Sequence, residues 1–411
     1  MRIVIVGCVM AYAVLQAAPV RATELIRVLL FEDAQQVEVS ADRGVAVRSS
    51  SGETWVLPNP VTVASVAGAI TVNGQRVRGD SVTIRGRDQD LTVTVGPSVS
   101  DPRAVRPKDG RPVLPNAGIP DGARVPSAGT SLVVGGTLKL SDRGRGVTVV
   151  NELDLEEYVK GVLPAEMSSG WHPEALRAQA VATRTYAVYQ RLAGAGREYD
   201  LVASTQDQVY RGRQGLDARV QEAVETTRGL ILTHQNAPVL AAFSSTAAGP
   251  TEDALNVWDK DLPYLKGVDC PFDTNSPYYQ WRAAFKIEDL ENGLRRFGMS
   301  VGTIATLTTF AYSNAGRVTR VRILHSQGEL VLRGEDLRRV VGYTVIPSTQ
   351  FEIVTVGRDV VLSGRGAGHA VGLCQWGAKE LAELGYPFST ILRYYFPGTD
   401  LRVLQSLALA R

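Results

Sequence analysis

The chain has 411 residues, of which 44% are hydrophobic and 21% are charged, and these globular proportions exclude a disordered or fibrous protein. This length exceeds one ordinary core, so we expect two or more lobes. The 44 Lys and Arg and 42 Asp and Glu residues become 42 of each sign once a leader with Arg2 and Arg21 is removed, which predicts no broad binding surface for nucleic acid or anionic lipid.

Residues 1–22 have the pattern of a secretory signal peptide. One basic residue precedes an apolar run, and Val20 and Ala22 stand before a cleavage point after Ala22. We therefore expect a secreted or periplasmic protein of the cell envelope. An uncleaved N-terminal membrane anchor is the alternative, because the run from Ile3 to Val20 is nearly long enough to span a bilayer. No stable membrane span is expected in the mature chain.

Residues 23–96 predict a β-rich N-terminal region, since short runs rich in β-branched residues alternate with Gly, Asn and Asp. Residues 97–130 are dense in Pro, Gly and Asp without any periodicity, and they predict an exposed insertion or linker. Strands resume with SLVVGGTLKL and GVTVVNEL, at the start of a further region over residues 131–405.

The pattern then changes from strands to helices. A stretch without Gly or Pro follows Pro173 and continues to Gly194, which predicts a helix of about five turns. Further helices are predicted near residues 216–227 and 287–296, with strands such as LILTH and RVTRVRILH between and after them. Because helices and strands alternate without a regular βαβ rhythm, the predicted class is α+β, with a β-rich N-terminal part and a mixed α/β region.

A glycine-rich stretch near the C-terminus, SGRGAGHAVGLCQWGA at residues 363–378, fails the dinucleotide-binding fingerprint in both possible registers. Such a loop lets the backbone approach a ligand while it presents His369, Gln375 and Trp376. A tight structural turn around a hydrogen-bonded histidine explains the same pattern without a ligand.

Four blocks of sequence, in this order, closely resemble the stage II sporulation protein D family, also called SpoIID/LytB-type proteins. They are LDLEEYVKGVLPAEMSSGWHPEALRAQAVATRTYAVYQ at 153–190, DQVYRG at 207–212, FSSTAAGPTEDALNVW at 243–258, and GRGAGHAVGLCQWGAKELAELGYPFSTILRYYFPGTDL at 364–401. The blocks cover most of residues 150–400, so residues 131–405 are identified as a SpoIID/LytB-like domain.

This resemblance implies cleavage of peptidoglycan glycan strands by a lytic transglycosylase, with the glutamate of an E-M pair, here Glu166, as the catalytic acid. Ordinary glycosidases need two carboxylates. A lytic transglycosylase uses the C6 hydroxyl of N-acetylmuramic acid as nucleophile and leaves a 1,6-anhydro end. One glutamate can then serve as acid and base without a cofactor, provided that its pKa is raised.

The sequence leaves the state of Glu166 open. Apolar neighbours would raise the pKa of its carboxyl, whereas its expected position in a loop before the Pro173 helix would lower that pKa through the helix N-terminus. Without the resemblance, Glu166 would read as an ordinary surface carboxylate.

The resemblance also implies a saccharide groove lined by polar and aromatic side chains. The matching motif positions are Gln208, Tyr210, Ser244, Ser245, Thr251, Glu252, His369 and Gln375. For each of them a structural hydrogen bond is the equal alternative, and Glu252 is also a conceivable second carboxylate.

Cys270 and Cys374 are the two cysteines that remain after signal cleavage, and an oxidising compartment favours a disulfide between them. Two inert buried thiols are the alternative. Some members of the family bind zinc near the DQVY block, where this chain has Val202, Gln206 and Asp207. Since Val and Gln are not zinc ligands, no structural metal is expected.

Two other functions remain beside the lytic transglycosylase. LytB-like relatives are described as enhancers of cell-wall amidases, so the domain could bind glycan or an amidase without cutting. An unrelated carbohydrate-binding scaffold would require the four blocks to be structural alone. The sequence leaves a role in sporulation, division or wall turnover open.

Overall fold

The computed structural model describes residues 24–87, 90–96 and 131–407. The predicted signal peptide and the predicted linker at 97–130 lie outside these residues, so both stay predictions. Within the described part of the chain, no helix combines the length and the apolar character that a membrane crossing requires.

The chain begins with strands. They are β1 (Leu25–Ala34), β2 (Gln36–Ser40), β3 (Val45–Ser49), β4 (Thr54–Leu57), β5 (Val61–Val66), β6 (Ala69–Val72), β7 (Gln75–Arg76), β8 (Ser81–Gly86), β9 (Leu91–Val95), β10 (Ser131–Val134), β11 (Thr137–Asp142) and β12 (Val147–Asp154). The next elements are α1 (Leu155–Glu166), α2 (Pro173–Ala193), β13 (Leu201–Val202), α3 (Ala218–Thr226), β14 (Leu230–His234), β15 (Ala237–Pro238), β16 (Phe243–Ser244) and α4 (Ala254–Trp258).

The C-terminal half mixes both kinds of element. It contains β17 (Trp281–Lys286), α5 (Ile287–Arg296), β18 (Ile304–Tyr312), β19 (Val318–His325), β20 (Gly328–Arg333), α6 (Gly334–Val341), β21 (Gln350–Val356), β22 (Asp359–Arg365), β23 (Leu373–Cys374), α7 (Gln375–Glu383), α8 (Phe388–Tyr395) and β24 (Asp400–Val403). The predicted α+β class with a β-rich N-terminal part is confirmed.

The N-terminal strands form two sheets that share one hydrophobic core. The seven-stranded sheet has the order β13-β1-β12-β11-β8-β3-β4, and the six-stranded sheet has the order β10-β9-β2-β5-β6-β7. Burial alternates along these strands, so that Val37 and Val39 are buried while Glu38 between them is exposed. Strands on both sides of residues 97–130 pair with each other in these sheets, and β12 leads directly into α1.

Helix α2 lies at the centre of the next layer, where it packs against α1, α3, β14, α7 and α8. It begins at Pro173, with the side chain of His172 accepting from the Glu174 N–H, and ends before Gly194, which confirms the predicted helix. Its buried Arg184 pairs with Glu156 of α1 at 2.6 Å. The pairing compensates a guanidinium that is 0% exposed.

Strands β17–β22 with helices α5 and α6 enclose a second hydrophobic core, which includes Leu290, Val321, Leu337 and Leu362. Two three-stranded sheets, β17-β22-β21 and β18-β19-β20, form its walls. The sequence predicted several of these strands and α5, but not that they would form a core of their own. Residues 281–365 are called the second lobe below.

Candidate active site

Glu166 is the last residue of α1, so the predicted loop position is wrong. The short loop that precedes α2 starts one residue later, at Met167. The partial negative charge at a helix C-terminus disfavours an ionised carboxylate. The C-terminus of α1 therefore favours a raised pKa of Glu166, whereas the helix N-terminus expected from the sequence would have lowered it.

Two other segments converge on the Glu166 carboxylate. The Val209 N–H donates to Oε1 at 3.2 Å, and Gln375 Nε2 lies 3.5 Å from Oε2. The same Gln375 nitrogen lies 3.5 Å from Gln179 Oε1 on α2. The first, second and fourth sequence blocks thus meet at one carboxyl group.

The environment of Glu166 changes its acidity. Burial raises the pKa of Glu166 to about 7, because the smaller opposing effects of the Val209 and Gln375 hydrogen bonds and of the Arg211 guanidinium do not offset the desolvation. Near neutral pH both protonation states are therefore accessible. A group of this kind can donate a proton and take one back.

Two tryptophans lie on the segments that bracket Glu166. Trp171 belongs to the loop between α1 and α2, and Trp376 follows Gln375 at the start of α7. Their ring centroids lie 5.1 Å apart in an edge-to-face arrangement, and both side chains are partly exposed. Trp171, Gln179 and Arg211 were not among the site residues predicted from the sequence, although all three lie within the matching blocks.

The DQVYRG block meets Glu166 through its backbone rather than through the predicted side chains. Gln208 accepts from the Tyr158 hydroxyl at 2.9 Å, and the Tyr210 hydroxyl donates to Asn151 at 3.2 Å. Gln208 is 0% and Tyr210 2% exposed. These contacts orient the segment so that the N–H of Val209, between them, points at the carboxylate.

The predicted residues of the third block are buried among protein partners. Ser244 accepts from the Ala370 N–H at 3.1 Å, and the Ser245 and Thr246 hydroxyls lie 3.2 Å apart. Thr251 Oγ1 accepts from the Val268 N–H at 2.8 Å. These bonds tie the block to the glycine-rich loop and to the segment before the second lobe.

Glu252 and His369 are buried as well. Glu252 accepts from Asn256 Nδ2 at 2.8 Å and from the Ser313 hydroxyl of the second lobe. His369 Nδ1 accepts from the Val371 N–H at 2.9 Å. Burial, reinforced by nearby arginines, lowers the pKa of His369 to about 3, so its imidazole is neutral at physiological pH. Among the predicted binding residues, Gln375 is the one that contacts Glu166 through its side chain in the described hydrogen bonds.

Cys270 and Cys374 come together, but as free thiols. Their sulfurs and a carboxylate oxygen of Asp273 lie within 4.8 Å of one another, in a buried group with the ligand types of a metal site. Burial holds the pKa of the Cys374 thiol well above its usual range, which favours the protonated form over the thiolate that a metal needs. Disulfide formation and the absence of a metal both stay predictions.

Parts of the chain match known protein families. A family model described as Stage II sporulation protein matches residues 143–234, and a domain of unknown function, DUF8618, matches residues 255–372. The chain is 33% identical to stage II sporulation protein D of Bacillus amyloliquefaciens and 32% identical to that of Bacillus subtilis strain 168. Each of these matches spans 267 residues, 61% of this chain and 75% of the relative.

The chain is also similar to a protein named amidase enhancer from Bacillus subtilis strain 168. The identity is 29% over 291 residues, which is 59% of this chain and 40% of that relative.

Proposed function

Because the chain belongs to the stage II sporulation protein D family, we propose that it cleaves peptidoglycan glycan strands as a lytic transglycosylase, with Glu166 as the single general acid and base. The family match and the similarity to the protein named amidase enhancer support a cell-wall-related role without specifying a reaction. The observation that supports the lytic transglycosylase reaction is the state of the Glu166 carboxyl, because burial raises its pKa to about 7.

The reaction balances with one carboxyl group. Protonated Glu166 donates its proton to the departing glycosidic oxygen as the bond from that oxygen to the muramyl C1 breaks. The C6 hydroxyl oxygen of the same muramyl residue bonds to C1, and its proton returns to Glu166. No water is consumed, and the product is a 1,6-anhydro-muramyl end.

The contacts of Glu166 suit both halves of this cycle. Burial favours the neutral acid that must donate first. The Val209 N–H and the Gln375 amide can stabilise the carboxylate that exists between the two proton transfers. Tighter donors would lower the pKa of Glu166, so that less of it would hold a proton to donate near neutral pH, and these long contacts therefore support the proposed role.

A non-catalytic enhancer of a cell-wall amidase is the second candidate, and the similarity to the protein named amidase enhancer favours it. In that function Glu166 would be a structural residue that joins α1 to α7. The domain would bind glycan strands or an amidase without cutting, in the same cell-envelope compartment.

Digestion of purified peptidoglycan, with and without amidase pretreatment, separates the candidates. Wild type, Glu166→Gln and the matched control Glu222→Gln, which removes an exposed carboxylate on α3, are compared by mass spectrometry of the products. Anhydro-muramyl ends from wild type and Glu222→Gln, but not from Glu166→Gln, support the transglycosylase. Reducing ends would indicate hydrolysis. Glycan binding and amidase stimulation by all three proteins without cleavage would support the enhancer.

A further inference from the structure

Trp171 and Trp376 lie on two segments that meet at Glu166. Trp171 lies in the loop that begins directly after Glu166, and Trp376 is the neighbour of Gln375, whose amide contacts the carboxylate. We propose that the two indoles form a subsite for one pyranose ring of the glycan, next to the bond that is cut. This inference rests on the proposed function, since it takes its ligand from that reaction.

Trp171 and Trp376 are more exposed than the core tryptophan Trp258, although Trp171 also packs against the hydrophobic core. Trp258 is 4% exposed and packs on the imidazole of His369, as a core tryptophan does. Trp171 and Trp376 retain partial exposure beside a titratable carboxyl. An indole presents a large apolar face to a ligand and an N–H that can donate to a hydroxyl. A sugar ring, with C–H groups on its faces and hydroxyls at its edge, matches both properties.

The backbone around each indole is fixed before any ligand binds. The Trp171 N–H donates to the Ser168 carbonyl at 3.0 Å, and the Trp376 N–H donates to the Ser245 carbonyl at 3.1 Å. Lys379 Nζ lies 5.4 Å from the centroid of the Trp376 ring. Preformed aromatic surfaces bind with little loss of conformational entropy, so this arrangement favours ligand capture.

The rings are placed to bind one end of the substrate rather than to react with it. Trp376 directly follows Gln375, whose amide contacts the carboxyl, and Trp171 lies in the loop after Glu166, so the proposed subsite lies next to the segments that hold the acid. The two tryptophans are therefore positioning residues, and their loss should raise KM more than it lowers kcat.

The test measures binding of purified glycan strands from amidase-treated peptidoglycan by calorimetry, in a Glu166→Gln background that prevents turnover. Trp171→Ala and Trp376→Ala are each expected to weaken binding about tenfold. Trp376→Phe should restore most of the affinity, because it keeps an aromatic face. Trp55→Ala, which removes a partly exposed tryptophan from the edge strand β4, is the matched control and should bind as the parent does.

The unfolding midpoint of each variant shows whether it folds. If an alanine variant does not fold, the glycan affinity of Trp376→Phe is compared with that of the parent instead. Unchanged glycan binding in both alanine variants would overturn the subsite, even if wild type cleaves through Glu166. Weakened binding together with a fully active Glu166→Gln would leave the subsite standing and remove the proposed catalysis. Loss of amidase stimulation with unchanged glycan affinity would also overturn it, since the indoles would then dock a protein.

Discussion

Glu166 and Glu252 are two carboxylates in different surroundings, since Glu166 is partly exposed and Glu252 is buried. Glu166 has one backbone donor at 3.2 Å and one amide at 3.5 Å. Glu252 accepts from the Asp253 N–H at 2.9 Å, from Asn256 at 2.8 Å and from the Ser313 hydroxyl. With few donors, desolvation raises the pKa of Glu166 and lets this carboxyl exchange protons, whereas the contact of Glu252 with Ser313 links it to the second lobe.

The largest expected effect tests the first half of this comparison. Glu166→Gln keeps the shape of the side chain but removes the transferable proton, so the rate of glycan cleavage should fall by about 10²–10⁴-fold. Initial rates of anhydro-end formation measure this loss, while an unchanged circular dichroism spectrum reports intact folding. A variant that keeps more than a tenth of the wild-type rate would remove Glu166 from the role of acid.

The two buried thiols, Cys270 and Cys374, lie in the larger hydrophobic core, and their oxidation is the next largest effect. A disulfide between Cys270 and Cys374 would close a loop of roughly a hundred residues and stabilise the fold by up to about 4.7 kcal/mol, less any strain. Thiol titration of denatured, non-reduced protein should find none, and the unfolding free energy should fall on reduction. Two reactive thiols per chain would contradict the pairing.

Metal analysis distinguishes the other use of the same thiols. A chelator should change neither the unfolding midpoint nor glycan cleavage, because the burial that raises the pKa of Cys374 opposes formation of a thiolate ligand. Stoichiometric zinc that protects both thiols and is lost together with stability would show that Cys270, Asp273 and Cys374 hold a metal.

The pH dependence of stability tests the Glu166 half of this comparison. The pKa of Glu166 is raised from its usual 4.5 to about 7, so the folded state binds the extra proton. Its contribution is fully present below about pH 4.5 and is lost as the pH rises toward about 7. The free energy of unfolding should fall by at most about 3 kcal/mol over this range. The true loss should be smaller, because Glu166 is partly exposed and solvent screens its charge. Denaturant unfolding of wild type and Glu166→Gln from pH 4 to 8 should show curves that diverge over this range, and parallel curves would contradict it.

The sequence predicted these features unevenly. Helix α2 begins at Pro173 and ends before Gly194, as these two residue types predict. Two residues from the matching blocks, Glu166 and Gln375, are in contact in the structure. Helix α1 was missed because Gly161 and Pro164 interrupt its pattern. Only the fold explains that glycine, since a side chain there would collide with the ring of Tyr210.

Tertiary pairing accounts for the other differences. Strands before and after residues 97–130 join through partners that no local pattern specifies. The second lobe has the same alternation as its neighbours, so its separate core was not visible in the sequence. Whether a polar motif residue such as Gln208 or Thr251 faces a ligand or the interior depends on hydrogen-bond partners far along the chain.

The smallest expected change from a substitution concerns Glu252→Gln. When the new NH₂ group replaces Oε2, it cannot accept from the Ser313 hydroxyl, while Oε1 still accepts from Asn256, and a buried donor without its acceptor costs about 1–3 kcal/mol. The Ser313 hydroxyl can turn to accept from the new amide, so we expect the low end, about 1 kcal/mol. Urea unfolding measures the change, and Ser313→Ala removes the same contact from the other lobe as a matched control. Cleavage per folded molecule should stay within a few-fold of wild type, because the described contacts of Glu252 hold lobes together. Abolished cleavage with an unchanged midpoint would instead make Glu252 a second catalytic carboxylate and the reaction a hydrolysis.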